Sequence, residues 1–266
     1  ALHTARFDTS VHEIWVAKGN YFPKYYAQDG FSKTICITTP NPPQYSFVLP
    51  KNVKIYGGFA GGENDLSLRN HSINKTILNG NNETDYITTD DAYNVVVSIG
   101  DVGTTELNGF EIINGKAILP LVSETINSIT ISRGKGGGIQ FINSSPKIIY
   151  CNISKNTSYT GGAISITNGY PSFTNCIFSG NESSTWGIIT ANTCLSSFIN
   201  FYNCLITGNK SNNSLIESIN SKIKFTNATI ANNYLTAVTP YFIDIGTSNL
   251  NPDFYLNNCI IWGNTF

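Results

Sequence analysis

Residues 161–181 read GGAISITNGYPSFTNCIFSGN, and this stretch decides the fold because it is one unit of a repeat. Its core is Phe173-x-Asn175-Cys176-x-Phe178-x-Gly180-Asn181. The same frame returns as Ile148, Cys151, Ile153, Asn156, then as Phe201, Asn203, Cys204, Ile206, Gly208, Asn209. It returns again as Phe225, Asn227, Ala228, Ile230, Asn233 and as Leu256, Asn258, Cys259, Ile261, Gly263, Asn264. The terminal asparagines lie 25, 28, 24 and 31 positions apart. A period of this size signals a solenoid, a propeller or an array.

Within each unit the apolar residues alternate. Phe173 and Phe178 belong to one set and Ile177 to the other, and Ile164 and Ile166 form a second short alternating run. Alternation over three to five residues argues for strand. The punctuation is Gly, Asn, Ser and Pro, which form turns. Each unit is therefore two or three short strands wound into one coil, and stacked coils set like strands in parallel about 4.8 Å apart. The expected fold is all-β: a right-handed parallel β-helix, the hand following from the preference of parallel crossovers. A leucine-rich frame is missing, and a propeller blade needs more strand per unit.

The repeat also assigns roles. Asn156, Asn181, Asn209, Asn233 and Asn264 are expected to form a ladder up the stack, at a turn that suits positive φ. Cys151, Cys176, Cys204 and Cys259 share one position, with Ala228 in the remaining copy. They read as small inward-facing core residues rather than disulfides, since parallel in-register side chains point the same way. Cys36 and Cys194 have no evident partner.

GGAI at 161–164, GGGI at 136–139 and the Phe178-x-x-Asn181 frame resemble polymorphic outer-membrane-protein repeats. VHEIWVAKGNYFP at 11–23 and VKIYGGFAGGE at 53–63 resemble the opening coils of secreted or surface β-helix proteins of Bacteroidota-type bacteria. The resemblance spans nearly the whole chain. It implies export to an extracellular or outer-cell-surface location and an adhesin-like or structural role, and it implies no particular activity. In place of GGAI, the next two copies read WGIIT and SLIES.

The 266 residues are expected to form a single β-helix domain, with insertions at about 24–46 and 116–135 and regular coils over 136–266. Charged residues make up 12% and formal net charge is -1, so no basic patch points to nucleic acid. Asparagine occurs 34 times, which fits a chain built from turns. No apolar run is long enough for a transmembrane helix. The three histidines at 3, 12 and 71 and the lack of Cys-x-x-Cys exclude a zinc motif, and no cofactor is implied.

Glycan-cleaving β-helices need several acidic residues on one strand face. The regular copies hold only Asp244 and Asp253 as aspartates, so no catalytic residues are assigned. Asp85, Asp90, Asp91 and Asp101 read as solvated turn residues, Arg133 as part of a solvated loop, and Lys222 and Lys224 as outer-face surface charge. The candidate ligand-binding residues are aromatic: Tyr21, Tyr25 and Tyr26 near the first insertion, and Tyr159, Tyr170 and Trp186 beside turns. Rings at a surface stack on sugars or bury in a protein partner.

Two functions are open: a non-enzymatic surface module that binds a glycan or a protein or acts as a spacer, and a polysaccharide lyase or glycoside hydrolase. After residue 256 nothing charged or amphipathic can cap the last coil. A stacked sheet left open invites pairing, so further coils or a partner subunit are expected at that end.

Overall fold

The computed structural model describes residues 1–25, 27, 45–81, 91–126, 128–246 and 253–265. It is a parallel β-helix. One coil shows how the sequence builds it. Strands Lys147–Ile149, Asn152–Ser154, Thr157–Thr160 and Ile164–Thr167 follow one another around the coil. They belong to four different sheets, which we label faces I to IV in that order. Among the described residues faces I and II each stack eight strands, face III five and face IV seven.

The inner columns carry the stability. On face I the register runs Ile14, Ile55, Leu107, Ile148, Phe173, Phe201, Phe225, Leu256. Phe173 and Phe201 stack with ring centroids 4.6 Å apart, and Phe201 and Phe225 at 4.5 Å. On face II the column is Leu78, Ile112, Ile153, Phe178, Ile206, Ile230, Ile261. Rings of this size bury 150–250 Å² each, and the middle coils are filled by them without a break.

The corners explain the asparagines and correct one expectation. The ladder residues Asn156, Asn181, Asn209 and Asn233 are buried and lie outside the positive-φ set. The left-handed conformation falls instead on the residue before each: Lys155, Gly180, Gly208, Asn232 and Gly263. It also falls on Asn175, Asn203, Asn227 and Asn258 at the corner between faces I and II. Asparagine tolerates that region. The ladder itself is as expected. Asn181 Oδ1 accepts from the Asn156 backbone N–H and Nδ2 at 3.1 and 3.0 Å, and Asn209 Oδ1 accepts likewise from Asn181 at 2.9 and 3.0 Å. Asn233 and Asn264 continue it. Each Nδ2 also donates to a backbone carbonyl of the preceding coil, as Asn209 does to Phe178 at 2.9 Å.

Cys151, Cys176, Cys194, Cys204 and Cys259 are free thiols, the first four of them buried. Burial pushes the Cys151 thiol up to about 11, so it is inert filler. Cys36 lies outside the described residues. Gly161 and Gly162 show why the pair recurs. Gly161 sits at φ 72°, and a Cβ on Gly162 would lie 2.5 Å from the Glu182 carbonyl oxygen. In WGIIT a single glycine, Gly187 at φ 52°, serves the corner, and Gly161 N–H is shared between the Trp186 and Gly187 carbonyls.

Two additions shape the surface. The helix Leu2–Phe7 lies over the N-terminal coil, with Ala5 buried against the core and Arg6 Nη1 donating to Leu49 O at 3.1 Å. The second insertion folds as an antiparallel hairpin, Ser123–Ile126 with Ile129–Ser132. Ile126 and Ile131 pack on Val97, Ile99 and Ile142, the outward side of face IV. Arg133 is not in a solvated loop: it is fully buried beneath this hairpin, paired with Glu124 and 3.3 Å from Asn94 Oδ1. A local reading of Arg-Gly-Lys cannot foresee that the hairpin folds back over its own base.

Candidate functional site

Two places gather chemistry. The first is the outer side of face IV beyond the hairpin. Residues on the side of this face away from the core form a column, Val97, Gln140, Ser165, Thr190, Glu217, Asp244, of which the first four are buried and Glu217 and Asp244 are part-exposed. Alternation puts them opposite Ile139, Ile164, Ile189 and Ile216 of the core. From Gln140 to Asp244 the column runs about 19 Å at ~4.8 Å per rung. Gln140 Oε1 is buried with no hydrogen-bond partner. The glycine corner folds against this column: a Cβ on Gly161 would lie 2.9 Å from Thr190 Oγ1, and one on Gly187 2.7 Å from Thr190 Cγ2.

Glu217 and Asp244 are register partners on neighbouring coils. Burial first, and then the Asp244 charge, push the Glu217 carboxyl up to about 7, with Lys135 opposing. Two carboxylates on one face need not share one ionisation state. Asp244 Oδ1 accepts from the Gly246 N–H at 2.9 Å. Sequence reading missed Glu217 because it searched for aspartate. The signal was there: SLIES and YFID align Glu217 with Asp244, each directly after an inward isoleucine.

The aromatic candidates separate. Trp186 is half-buried at the corner of faces III and IV, paired with Thr160, and Tyr159 stands exposed beside Thr160. Exposed Tyr241, missed at first, flanks the same column through its pairing with Ser214. Tyr170 serves structure: its hydroxyl accepts from the Ser196 N–H at 3.0 Å, and its ring packs on the core. Tyr26 lies outside the described residues.

Tyr21 and Tyr25 belong to the second place, a cavity of about 630 Å³ in the mouth of the N-terminal coil. Its walls include Ile14, Ile55, Leu78, Leu107 and Phe110, and the helix Leu2–Phe7 overhangs it. Tyr21 hydroxyl donates to Ala17 O at 3.1 Å, and Tyr25 stacks on His3 with centroids 5.9 Å apart. The phenylalanines Phe141, Phe173, Phe178, Phe201 and Phe225 fill coil centres further along the stack, while the inner columns of the first two coils hold Ile14, Ile55, Tyr21 and Leu78.

Charges expected at the surface are there. Lys222 pairs with Asp253 at 3.3 Å and Asp101 with Lys51 at 2.5 Å. Asp91 departs from the expectation of a solvated turn residue: its side chain is only 11% exposed and pairs with Lys116 at 3.5 Å, while Asp85 and Asp90 lie outside the described residues. Among the described residues no group of three or more His, Cys, Asp or Glu side chains could hold a metal, and no helix is long and apolar enough to cross a membrane. No protein-family model, curated protein or solved structure matches the chain.

Proposed function

We propose that this chain is a non-enzymatic binding module of an extracellular or outer-cell-surface protein, and that a glycan binds at the Glu217–Asp244 end of the outer column of face IV. The observation that carries the reading is the accessible end of that column: Glu217 and Asp244 stand part-exposed on successive coils, with half-buried Trp186 and exposed Tyr241 beside them, while Gln140, Ser165 and Thr190 are buried. A sugar chain offers repeated hydroxyls to such groups and C–H faces to rings. The resemblance to surface β-helix repeats supports the location. Titration calorimetry against soluble polysaccharides tests the reading. Trp186→Ala is expected to weaken binding at least tenfold at unchanged thermal stability; equal affinity of Trp186→Ala and the parent would sink it.

A second reading, a glycoside hydrolase, is favoured by one observation, the Glu217–Asp244 pair with Glu217 pushed up to about 7. General acids are tuned in this way. Under the primary reading the purified protein releases no reducing ends or unsaturated uronides from pectin, alginate or host glycans. Release that disappears in Glu217→Gln would establish the second.

The partner at the far end follows the same logic. Leu256 and Ile261 are 38% and 46% exposed, whereas Phe225 and Ile230, one coil earlier in the same columns, are fully buried. We propose that further coils or a partner subunit cover this edge.

A further inference from the structure

Glu217 and Asp244 are two carboxylates with little to hold them. Among the described residues neither forms an ion pair, Glu217 makes no side-chain hydrogen bond, and Asp244 accepts only from the Gly246 N–H. Glu217 is half-buried nonetheless. A carboxylate withdrawn from water without a partner is unfavourable. Here a second one stands in register on the next coil, about 4.8 Å away along the stack. The strain shows in the Glu217 carboxyl, which burial and then the Asp244 charge push up to about 7, with Lys135 opposing. Aromatic rings border the pair. Tyr241 is 57% exposed on the strand that carries Asp244, Tyr241–Asp244. The corner after Trp186 packs close: a Cβ on Gly187 would lie 3.2 Å from the Glu217 backbone nitrogen.

Resting on the glycan reading of this site, we propose that the sugar bound there carries a free amino group, its ammonium held between Glu217 and Asp244. An ammonium group has three N–H donors, enough to serve both carboxylates at once. Its charge-assisted bonds are stronger than those of a hydroxyl, and an adjacent cation favours the ionised carboxylate. An N-acetylated sugar lacks that charge, and a uronate adds a third negative one. The bordering rings take the C–H face of a sugar and attract a neighbouring cation through their π faces.

The test titrates equal-length oligomers of glucosamine, N-acetylglucosamine and galacturonate into the whole chain by calorimetry at neutral pH. The glucosamine oligomer is expected to bind about tenfold more tightly than the acetylated one, and the galacturonate oligomer not measurably. Raised salt should shrink that preference. Glu217→Gln and Asp244→Asn are each expected to lower glucosamine-oligomer affinity about tenfold and leave the acetylated oligomer unchanged, whereas Trp186→Ala weakens both. Either carboxylate variant decides the matter if the other fails to fold. Equal or tighter binding of either other oligomer, or binding only of polysaccharides without amino groups, overturns the amino-sugar assignment and leaves the glycan reading standing. Parent-like glucosamine-oligomer binding by a folded Glu217→Gln or Asp244→Asn overturns the assignment too. Silence from every glycan overturns both.

Discussion

Asn209 shows what one residue of the ladder is worth. Its Oδ1 accepts from Asn181 N–H and Nδ2, and its own Nδ2 donates to Phe178 O and Asn233 Oδ1. A net hydrogen bond contributes about 1 kcal/mol, but a buried donor left unpaired costs about 1–3 kcal/mol. Asn209→Ala orphans the Asn181 N–H, so it is expected to destabilise by about 1–3 kcal/mol in urea unfolding. If stability held while glycan binding vanished, the ladder would be functional rather than structural. Glu217 makes the residue-scale prediction for pH. Its carboxyl is raised in the fold, so the folded state holds a proton that the unfolded chain has already released between pH ~4.5 and ~7. Its contribution is fully present below the unfolded value and is lost as pH rises to about 7. Glu217→Gln should flatten the fall in stability across that window, read as Tm at half-unit pH steps; an unchanged slope would place the titration elsewhere.

At the scale of the element, the unit is not the strand but the column that crosses coils. The strand Ile199–Tyr202 has four residues and could not persist alone. It holds because Phe201 lies between Phe173 and Phe225 in parallel register, stacked on both. Phe201→Ala should cost about 3–5 kcal/mol through lost burial and the cavity left behind. Chemical denaturation measures this, and a loss under ~1 kcal/mol would mean that neighbouring rings close the gap. The hairpin 123–132 is the contrasting element: antiparallel, lateral, and held by Ile126 and Ile131 against Val97, Ile99 and Ile142.

The whole molecule has two unlike ends. At one, the helix Leu2–Phe7 packs over the core; at the other, Leu256, Ile260, Ile261 and Trp262 are exposed. Asn264 Oδ1 accepts from Asn233, and its Nδ2 donates to Ile230 O at 2.9 Å. In every earlier rung the ladder asparagine also donates to the next Oδ1, as Asn233 does to Asn264 at 2.8 Å. A neighbour that seats on this edge should therefore present an acceptor at the ladder position. Fusing one more coil, copied from residues 212–235 with Asn233 kept in frame, should raise Tm, and the same coil carrying Leu for Asn233 should raise it less. Equal gains from the two coils would show that the ladder does not guide docking.

The solenoid, its register and the inner columns are legible in the residues alone, because each is a local pattern repeated: ring, small residue, aliphatic, asparagine, at one spacing. The residues also mark the ladder, though not which residue at the corner turns left-handed, since Gly180 and Asn181 both suit a turn and only backbone geometry separates them. Tertiary structure alone decided the sites. Glu217 and Asp244 are 27 residues apart and meet only because one coil stacks on another. Arg133 is buried because a hairpin folds over it. The N-terminal cavity opens among Ile14, Ile55, Leu78 and Leu107, side chains that come from different coils and share a wall only once the coils share an axis.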